Sequence, residues 1–337
     1  MLHFFINSSE FRKDPGIVYL TGYAPGFCIL AYDDISKKIC MFIAEFELGM
    51  YKGIKCFAYN KNNFIKHLED YFSNVSFDKI GINKKAISVY EMNRLKKILP
   101  AAYIDNSAFF FDMRKVKSKK EIMKISEACK LTDEVFKSFA AKLKSGKLAT
   151  EIQAAIYIKK KVIEKGLECA FEPIVASGKN TSMPHHIPSK QKLNGFVMVD
   201  FGVKFQGYCS DITRMLYLGN PTSEEISDYN MVLELYSKAF SSLKSGVKLN
   251  IPDRVVRDRL GKAFSHSLGH GIGVEVHELP SLSPKSKESL KEGMVFTLEP
   301  GYYIKGKYGI RIEDTIAFFN GKLVSLTSSS KKLIILK

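Results

Sequence analysis

GFVMVDFGVKFQGYCSDIT, residues 195–213, and GMVFTLEPGYYIKGKYGIRIEDT, residues 293–315, follow one plan: apolar strand, acid, one residue, glycine, turn, second strand, acid, one residue, threonine. The match is short and gapped, and it makes a candidate internal repeat that places two acids from each block at comparable positions. These acids are Asp200, Asp211, Glu299 and Glu313. Their apolar, strand-forming neighbours put the carboxylates near a sheet, where an ionised carboxylate is expensive to bury unless it is paired or bound to metal. Arg214 and Arg311 are the available ion-pair partners, and four acids exceed what two arginines neutralise. Packed together, the acids would raise one another's pKa, whereas one or two divalent cations would let all four ionise.

Between the blocks lies HSLGHGIGVEVHE, residues 266–278, with His266, His270 and His277 at spacings of four and seven. A single histidine is usually a satisfied core residue; three in one glycine-rich segment indicate a site. The glycines flanking His270 allow close backbone approach or unusual φ/ψ around a rigidly placed imidazole. The pattern is not H-E-x-x-H, which excludes a zincin.

Working outward, Ser118 and Glu121 have the spacing of a capping box, so a helix should start there. Ile122, Ile125, Cys129, Phe136, Phe139 and Leu143 then form one apolar stripe ending at Gly146. Thr150 with Gln153 and Thr222 with Glu225 repeat the capping signal ahead of two more helices, the first stopping at Gly166. Strands are expected at FVMVDFG, GYCSDITRMLYLG, MVFTLEPGYYI and GIRIEDTIAFF, which are rich in β-branched and aromatic residues. Residues 2–59 differ in texture: the β-rich runs LHFFI, IVYLTGY, FCILAY and KICMFIAEF, parted by Gly, Pro and Asp, suggest a meander or small sheet. Helical patterns over residues 63–72 and 88–99 flank the strand-like KIGIN. An α/β domain is therefore expected over residues 1–115 and a second domain over 116–337, with the basic run RKVKSKK at the boundary.

A chain of 337 residues fits about two domains, and 45% hydrophobic with 26% charged residues is a globular composition. The N-terminal stretch meets polar residues within ten positions, and the apolar run 17–32 is broken by Gly22, Pro25 and Gly26. Neither a signal peptide nor a membrane-spanning helix is expected. Six cysteines without a C-x-x-C pair read as reduced residues of a cytoplasmic protein. The net charge of +16 is spread along the chain; its densest runs, 115–120 and 159–161, lack an aromatic stacking platform, so no nucleic-acid partner is expected.

The ordered set GYCSDITR, HSLGHGIGVEVHE, TLEPG and GIRIEDT resembles the pita-bread metallopeptidases, the superfamily of methionine aminopeptidase, aminopeptidase P and prolidase. The resemblance covers residues 117–337, and the stretch with IVYLTGY is similar to the smaller creatinase-type domain of aminopeptidase P and prolidase. It implies an α+β chain, with a curved antiparallel sheet backed by helices after a smaller creatinase-type α/β domain, and a dinuclear site inside the curve. By motif, Asp200 would chelate one metal, Asp211 and Glu313 would bridge both, and His270 and Glu299 would complete the second. The resemblance also implies catalytic roles for Glu299 and for four further residues. His185, in SMPHHIP, would touch the substrate or its leaving group, and its neighbour His186 stands where relatives often have glycine. His277 would bind the scissile carbonyl region, His266 would line the pocket, and Arg311 would orient the bridging carboxylates by bidentate hydrogen bonds.

The implied reaction is peptide hydrolysis through a metal-bridging hydroxide. Four carboxylates and one imidazole are a hard ligand set that fits Mn²⁺, with Co²⁺ or Zn²⁺ also compatible. The leading expectation is removal of an N-terminal residue before proline, as in an Xaa-Pro aminopeptidase. The alternative is an Xaa-Pro dipeptidase (prolidase), and a third reading is a catalytically silent peptide-binding module. Methionine aminopeptidase fits less well, because residues 1–115 precede the motifs. Ser281 carries the choice between the first two. Many archaeal-type prolidases have arginine there, able to pair with a dipeptide carboxylate, and serine cannot supply that charge. The expected substrates are peptides with proline second and at least three residues; a homodimer is compatible with the resemblance.

Overall fold

Short apolar runs become strands throughout the computed structural model, which describes residues 1–7, 13–73 and 75–337. Two units are separable, Met1–Met113 and Arg114–Lys337. In the first, β1 (Leu2–Asn7), β2 (Cys28–Asp33), β3 (Ile39–Ile43), β4 (Lys55–Ala58), β5 (Lys79–Ile82) and β6 (Ala102–Asp105) form one sheet in the order β4-β3-β2-β1-β5-β6. The β1–β2–β3 portion is an antiparallel meander; β4, β5 and β6 join it in parallel. Four helices accompany the sheet: α1 (Pro15–Thr21), α2 (Phe64–Tyr71), α3 (Val89–Ile98) and α4 (Ser107–Lys115).

The α1 helix corrects one expectation, since IVYLTGY is not a strand. Asp14 caps the helix by accepting from Gly16 N, Pro15 occupies the first turn where its missing N–H costs nothing, and Gly22 closes the end at φ 77°. Capping at both ends outweighs the β-preference of Ile17, Val18 and Tyr19.

The second unit opens with α5 (Lys119–Lys144) and α6 (Glu151–Glu164). Ser118 and Glu121 make both bonds of the capping box, and all six stripe residues of α5 are buried. Thr150 accepts from Gln153 N, while the Gln153 side chain takes the N–H of Ala149 instead of completing the box. Strands follow as β7 (Glu168–Cys169), β8 (Ile174–Ser177), β9 (Gly195–Phe201), β10 (Val203–Phe205), β11 (Tyr208–Cys209) and β12 (Ile212–Leu218). Helices α7 (Ser223–Ser242), with a full Thr222–Glu225 capping box, and α8 (Asn250–Leu260) come next. The chain ends in β13 (Gly269–Gly271), β14 (Glu278–Leu282), β15 (Val295–Leu298), β16 (Gly301–Ile304), β17 (Tyr308–Arg311), β18 (Asp314–Phe319), β19 (Lys322–Ser325) and β20 (Ile334–Leu336).

Two sheets carry the architecture, β20-β12-β9-β8 and β14-β13-β15-β18-β19. Side chains of β9 alternate between two cores, as the two-residue period requires. Val197, Val199 and Phe201 pack with Phe136 and Ile158 of α5 and α6, whereas Phe196 and Met198 join Tyr229, Val256, Phe296 and Ile316. Asp200 continues the Phe196–Met198 face, so its carboxylate points to the side occupied by the second sheet's residues.

Three expected strands break at their acids. GYCSDITR separates at Ser210–Asp211, MVFTLEPG at Glu299–Pro300 and GIRIEDT at Ile312–Glu313. Proline has no N–H for a ladder, so Pro300 ends β15. No helix among the described residues is long and apolar enough to cross a membrane, and all six cysteines are free.

Candidate metal centre

Asp200, Asp211, His270, Glu299 and Glu313 line a single cavity of about 510 Å³, together with His185, His266, His277, Ser281 and Arg311. Within it Asp211, His270 and Glu313 offer ligand atoms that all lie within 4.8 Å of one another. Glu299 Oε1 stands 3.5 Å from His270 Nε2, and Asp211 Oδ2 stands 3.8 Å from the same nitrogen. Asp200 is set by the ladder, where it pairs with Thr213, and its Oδ2 accepts from Arg311 Nη2 at 2.5 Å.

The imidazole of His270 is oriented by its own backbone neighbourhood. Its Nδ1 lies 3.1 Å from the Gly271 carbonyl, which can only accept, so the proton sits on Nδ1 and the Nε2 lone pair faces the carboxylates. The glycines beside it are there for space, not for φ. A Cβ at Gly269 would lie 1.9 Å from Thr297 O, and one at Gly271 would lie 2.1 Å from Leu279 O. Thr297 also accepts the His270 N–H at 3.1 Å, tying the β13 segment to β15.

Without a cation the cluster is over-charged. Burial first, then Glu313, Asp200 and Glu299, push Asp211 well above the carboxylate range. Burial, then Glu299 and Asp200, do the same to Glu313, and burial lifts Glu299 to about 7 even against Arg311. Burial and then His277 lower His270 to about 4, which leaves it neutral, the form that ligates metal. Two carboxylate oxygens, Asp200 Oδ1 and Asp211 Oδ1, are buried without a hydrogen-bond partner among the described residues. Buried acceptors of this kind need a cation or a proton, and a donor set of four carboxylates and one neutral imidazole fits divalent metal.

Around the carboxylates a chain of hydrogen bonds fixes the cationic wall. His266 Nδ1 donates to Ser267 O at 2.8 Å, so its Nε2 accepts from the Tyr303 hydroxyl at 2.9 Å. That hydroxyl in turn accepts from Arg311 Nη1 at 3.0 Å. Burial and then Arg311 lower His266 to about 3. Arg311 Nε donates to Thr213 Oγ1, and Thr213 donates to Glu313 Oε2 at 2.6 Å.

The bidentate clamp on the bridging pair expected of Arg311 is therefore not what this structure contains. Nε and Nη1 are committed to Thr213, Tyr303 and Pro184 O, which leaves Nη2 for one carboxylate, and that is Asp200. Its influence on Glu313 passes through Thr213. His185 and His277 are exposed at the open side of the cavity, and the rings of His277 and His270 meet edge-on with centroids 4.3 Å apart. Thr213, Thr297 and Tyr303 were not singled out from sequence. The acid–x–Thr ending shared by the two blocks pointed at Thr213, whereas nothing local marks Tyr303.

One carboxylate on a strand, three more at strand breaks and a neutral histidine, gathered in one cavity, define a metal-dependent hydrolase. The chain belongs to metallopeptidase family M24, whose model matches residues 123–318. It is similar to the Xaa-Pro dipeptidase of Pyrococcus horikoshii, with 32% identity across 98% of this chain and 95% of that protein. Among solved structures, X-Pro aminopeptidase from Thermotoga maritima MSB8 matches with a TM-score of 0.88 at 28% identity, covering 99% of this chain and 97% of that one. The prolidase from Pyrococcus horikoshii OT3 matches with a TM-score of 0.87 at 30% identity, covering 99% and 95%. The fold is the α+β pita-bread architecture with its N-terminal domain.

Proposed function

We propose that this chain hydrolyses the bond between an amino-terminal residue and a following proline, and that Xaa-Pro dipeptides are its principal substrates. The convergence of five ligand residues on one cavity carries the peptidase reading. The substrate class rests on relatives: full-length similarity to an Xaa-Pro dipeptidase, a second Xaa-Pro dipeptidase at 35% identity, and solved prolidases. These favour the dipeptidase over the aminopeptidase expected from Ser281.

In this reading Asp200 would hold one divalent ion, Asp211 and Glu313 both, and His270 and Glu299 the second, with Mn²⁺ suited to the hard donors. When bound, such a pair supplies Lewis acidity, which acidifies the attacking water and polarises the scissile carbonyl. The protein's residues do the rest. His277 and His185, which line the cavity and are exposed, would hold the substrate carbonyl and the departing proline. Glu299, which lines the cavity 3.5 Å from His270 Nε2, would accept a proton from the attacking water and deliver it to the departing proline nitrogen. Arg311 keeps Asp200 oriented and, through Tyr303, fixes His266.

One observation favours Xaa-Pro aminopeptidase as a second reading. Ser281 lines the cavity opposite His270 in the β13–β14 ladder, and among the described lining residues Arg311 is the sole lysine or arginine. Arg311 is already engaged, so a dipeptide carboxylate has no dedicated cation there. Comparing kcat/KM for Ala-Pro and Ala-Pro-Ala with Mn²⁺, Co²⁺ and Zn²⁺ tests both. Higher kcat/KM on Ala-Pro is expected; preference for the tripeptide transfers the assignment to the second reading. Cleavage of neither by metal-loaded protein overturns the peptidase reading.

A further inference from the structure

Glu151 opens α6 and is fully buried, yet it lies outside the carboxylate cluster. Its Oε1 accepts from Ser177 N at 2.8 Å and from Asn180 Nδ2 at 2.9 Å. Its Oε2 accepts from Ser189 N at 3.0 Å and Ser189 Oγ at 2.6 Å, and lies 2.8 Å from His186 Nε2. Burial pushes this carboxyl up, but the bonds from Ser189, Asn180 and His186 outweigh it and hold the group below its ordinary range. A carboxylate without exposure is tolerated only with its lone pairs filled. Here every filling side-chain or backbone donor comes from one segment, residues 177–189, which runs from the last residue of β8 into the connection to β9.

That segment carries His185. Met183–His186 is a β-turn closed by His186 N to Met183 O at 3.2 Å, with Pro184 at the second position, where the ring presets φ. His185 occupies the third position and lines the cavity, and its ring has no hydrogen-bond partner among the described residues. Its neighbours are held from different sides. Pro184 O accepts from Arg311 Nη1 at 3.1 Å, and His186 is held by Glu151. Thr181 Oγ1 adds a third anchor by accepting from Gly309 N of β17 at 2.7 Å. A side chain without a hydrogen-bond donor at 186 could make no bond to Glu151.

We propose that Glu151 and His186 are positioning residues that lock the 177–189 segment and thereby place His185 against the substrate. The inference rests on the reading of His185 as a substrate contact. Misplacing a substrate-positioning group by about 1 Å costs up to roughly 10²-fold in rate, so His186→Ala should lower kcat/KM for the better of Ala-Pro and Ala-Pro-Ala by roughly 10-fold or more. Metal content should be unchanged and the melting temperature should fall by only a few degrees, because Asn180 and Ser189 still fill Glu151, and His186→Gln, which keeps a donor, should recover most of the rate.

The deciding readout is a double-mutant cycle. If His186 acts through His185, His186→Ala should cost less than about twofold in a His185→Ala background. Independently, amide hydrogen exchange over residues 178–189 of metal-free protein should quicken in His186→Ala and in Glu151→Gln, and stay as in wild type in His185→Ala. Equal losses in both backgrounds, or unchanged exchange in His186→Ala, overturn the inference. A metal-loaded wild type that cleaves neither peptide refutes the peptidase reading instead, and the exchange measurement then still decides whether His186 locks the segment.

Discussion

The block around Asp200 and Asp211 and the block around Glu299 and Glu313 are built alike and used differently. In each, a first strand leads to an acid, a hairpin follows, and a second acid precedes a strand that returns antiparallel to the first. They meet through matched threonines: Thr213 Oγ1 donates to Glu313 Oε2 at 2.6 Å, and Thr315 Oγ1 donates to Asp211 O at 2.8 Å. The hairpins differ. The β10–β11 hairpin pairs with β7, whereas the β16–β17 hairpin brings Tyr303 and Arg311 to the carboxylates. The two similarly built blocks thus place four acids, and only the β16–β17 hairpin, among the described residues, brings a cation to them. Arg311 compensates Asp200 in the opposite block, leaving Asp211, Glu299 and Glu313 with charge that a bound metal would satisfy.

If the two halves contribute equally to that charge, breaking either should be equally severe. Asp211→Asn and Glu313→Gln should each lower turnover by about 10³-fold or more and reduce bound metal, while circular dichroism stays native. Activity near wild type with two metals bound would exclude the shared role. A large asymmetry between the variants would show that the halves are not equivalent.

The next largest effect separates two histidines of the intervening segment. His270→Ala should lose metal along with activity. His277→Ala should keep its metal and lose roughly 10²-fold in turnover, the scale of one acid–base or oxyanion contact. Metal analysis beside kinetics checks this, and equal metal loss in both variants would show the two roles to be misassigned.

A smaller effect tests the cavity's charge asymmetry. Ser281→Arg adds the missing cation, and a charge-assisted bond of about 1.5 kcal/mol or more should raise the Ala-Pro to Ala-Pro-Ala ratio of kcat/KM by roughly tenfold. An unchanged ratio would place the dipeptide carboxylate elsewhere.

The smallest effect is on stability. Glu299 is held at about 7, above its ordinary value, so the native metal-free protein keeps a proton that the unfolded chain releases. Native protein binding more protons means this group's contribution falls as pH rises from about 4.5 to about 7, and the raised Asp211 and Glu313 act in the same direction. The lowered His266, His270 and His277 oppose them up to about pH 6.5, where the unfolded imidazoles lose their protons, so the acids act unopposed above it. In chelator, the melting temperature should drop by roughly 5 °C between pH 6.5 and 7.5, and saturating Mn²⁺ should remove the slope. A metal-free protein that grows more stable over that range would contradict the charge distribution described.

Legible in the amino-acid order alone are local features: the capping residues of α5 and α7, the buried stripe of α5, the glycines needed beside His270, and the four acids with their spacing. These are readable because each depends on contacts within a few residues or on the cost of burying charge. One local competition runs against the β-preference of IVYLTGY, since Asp14 and Pro15 draw it into a helix. Tertiary structure alone decided which acid receives Arg311, because that depends on which hairpin faces the cavity and on the engagement of its other nitrogens by Thr213, Tyr303 and Pro184. The same holds for Glu151, which reads in sequence as an ordinary first-turn acid. Its carboxylate is spent on the loop that carries His185, and strand packing, not sequence distance, brings those partners together.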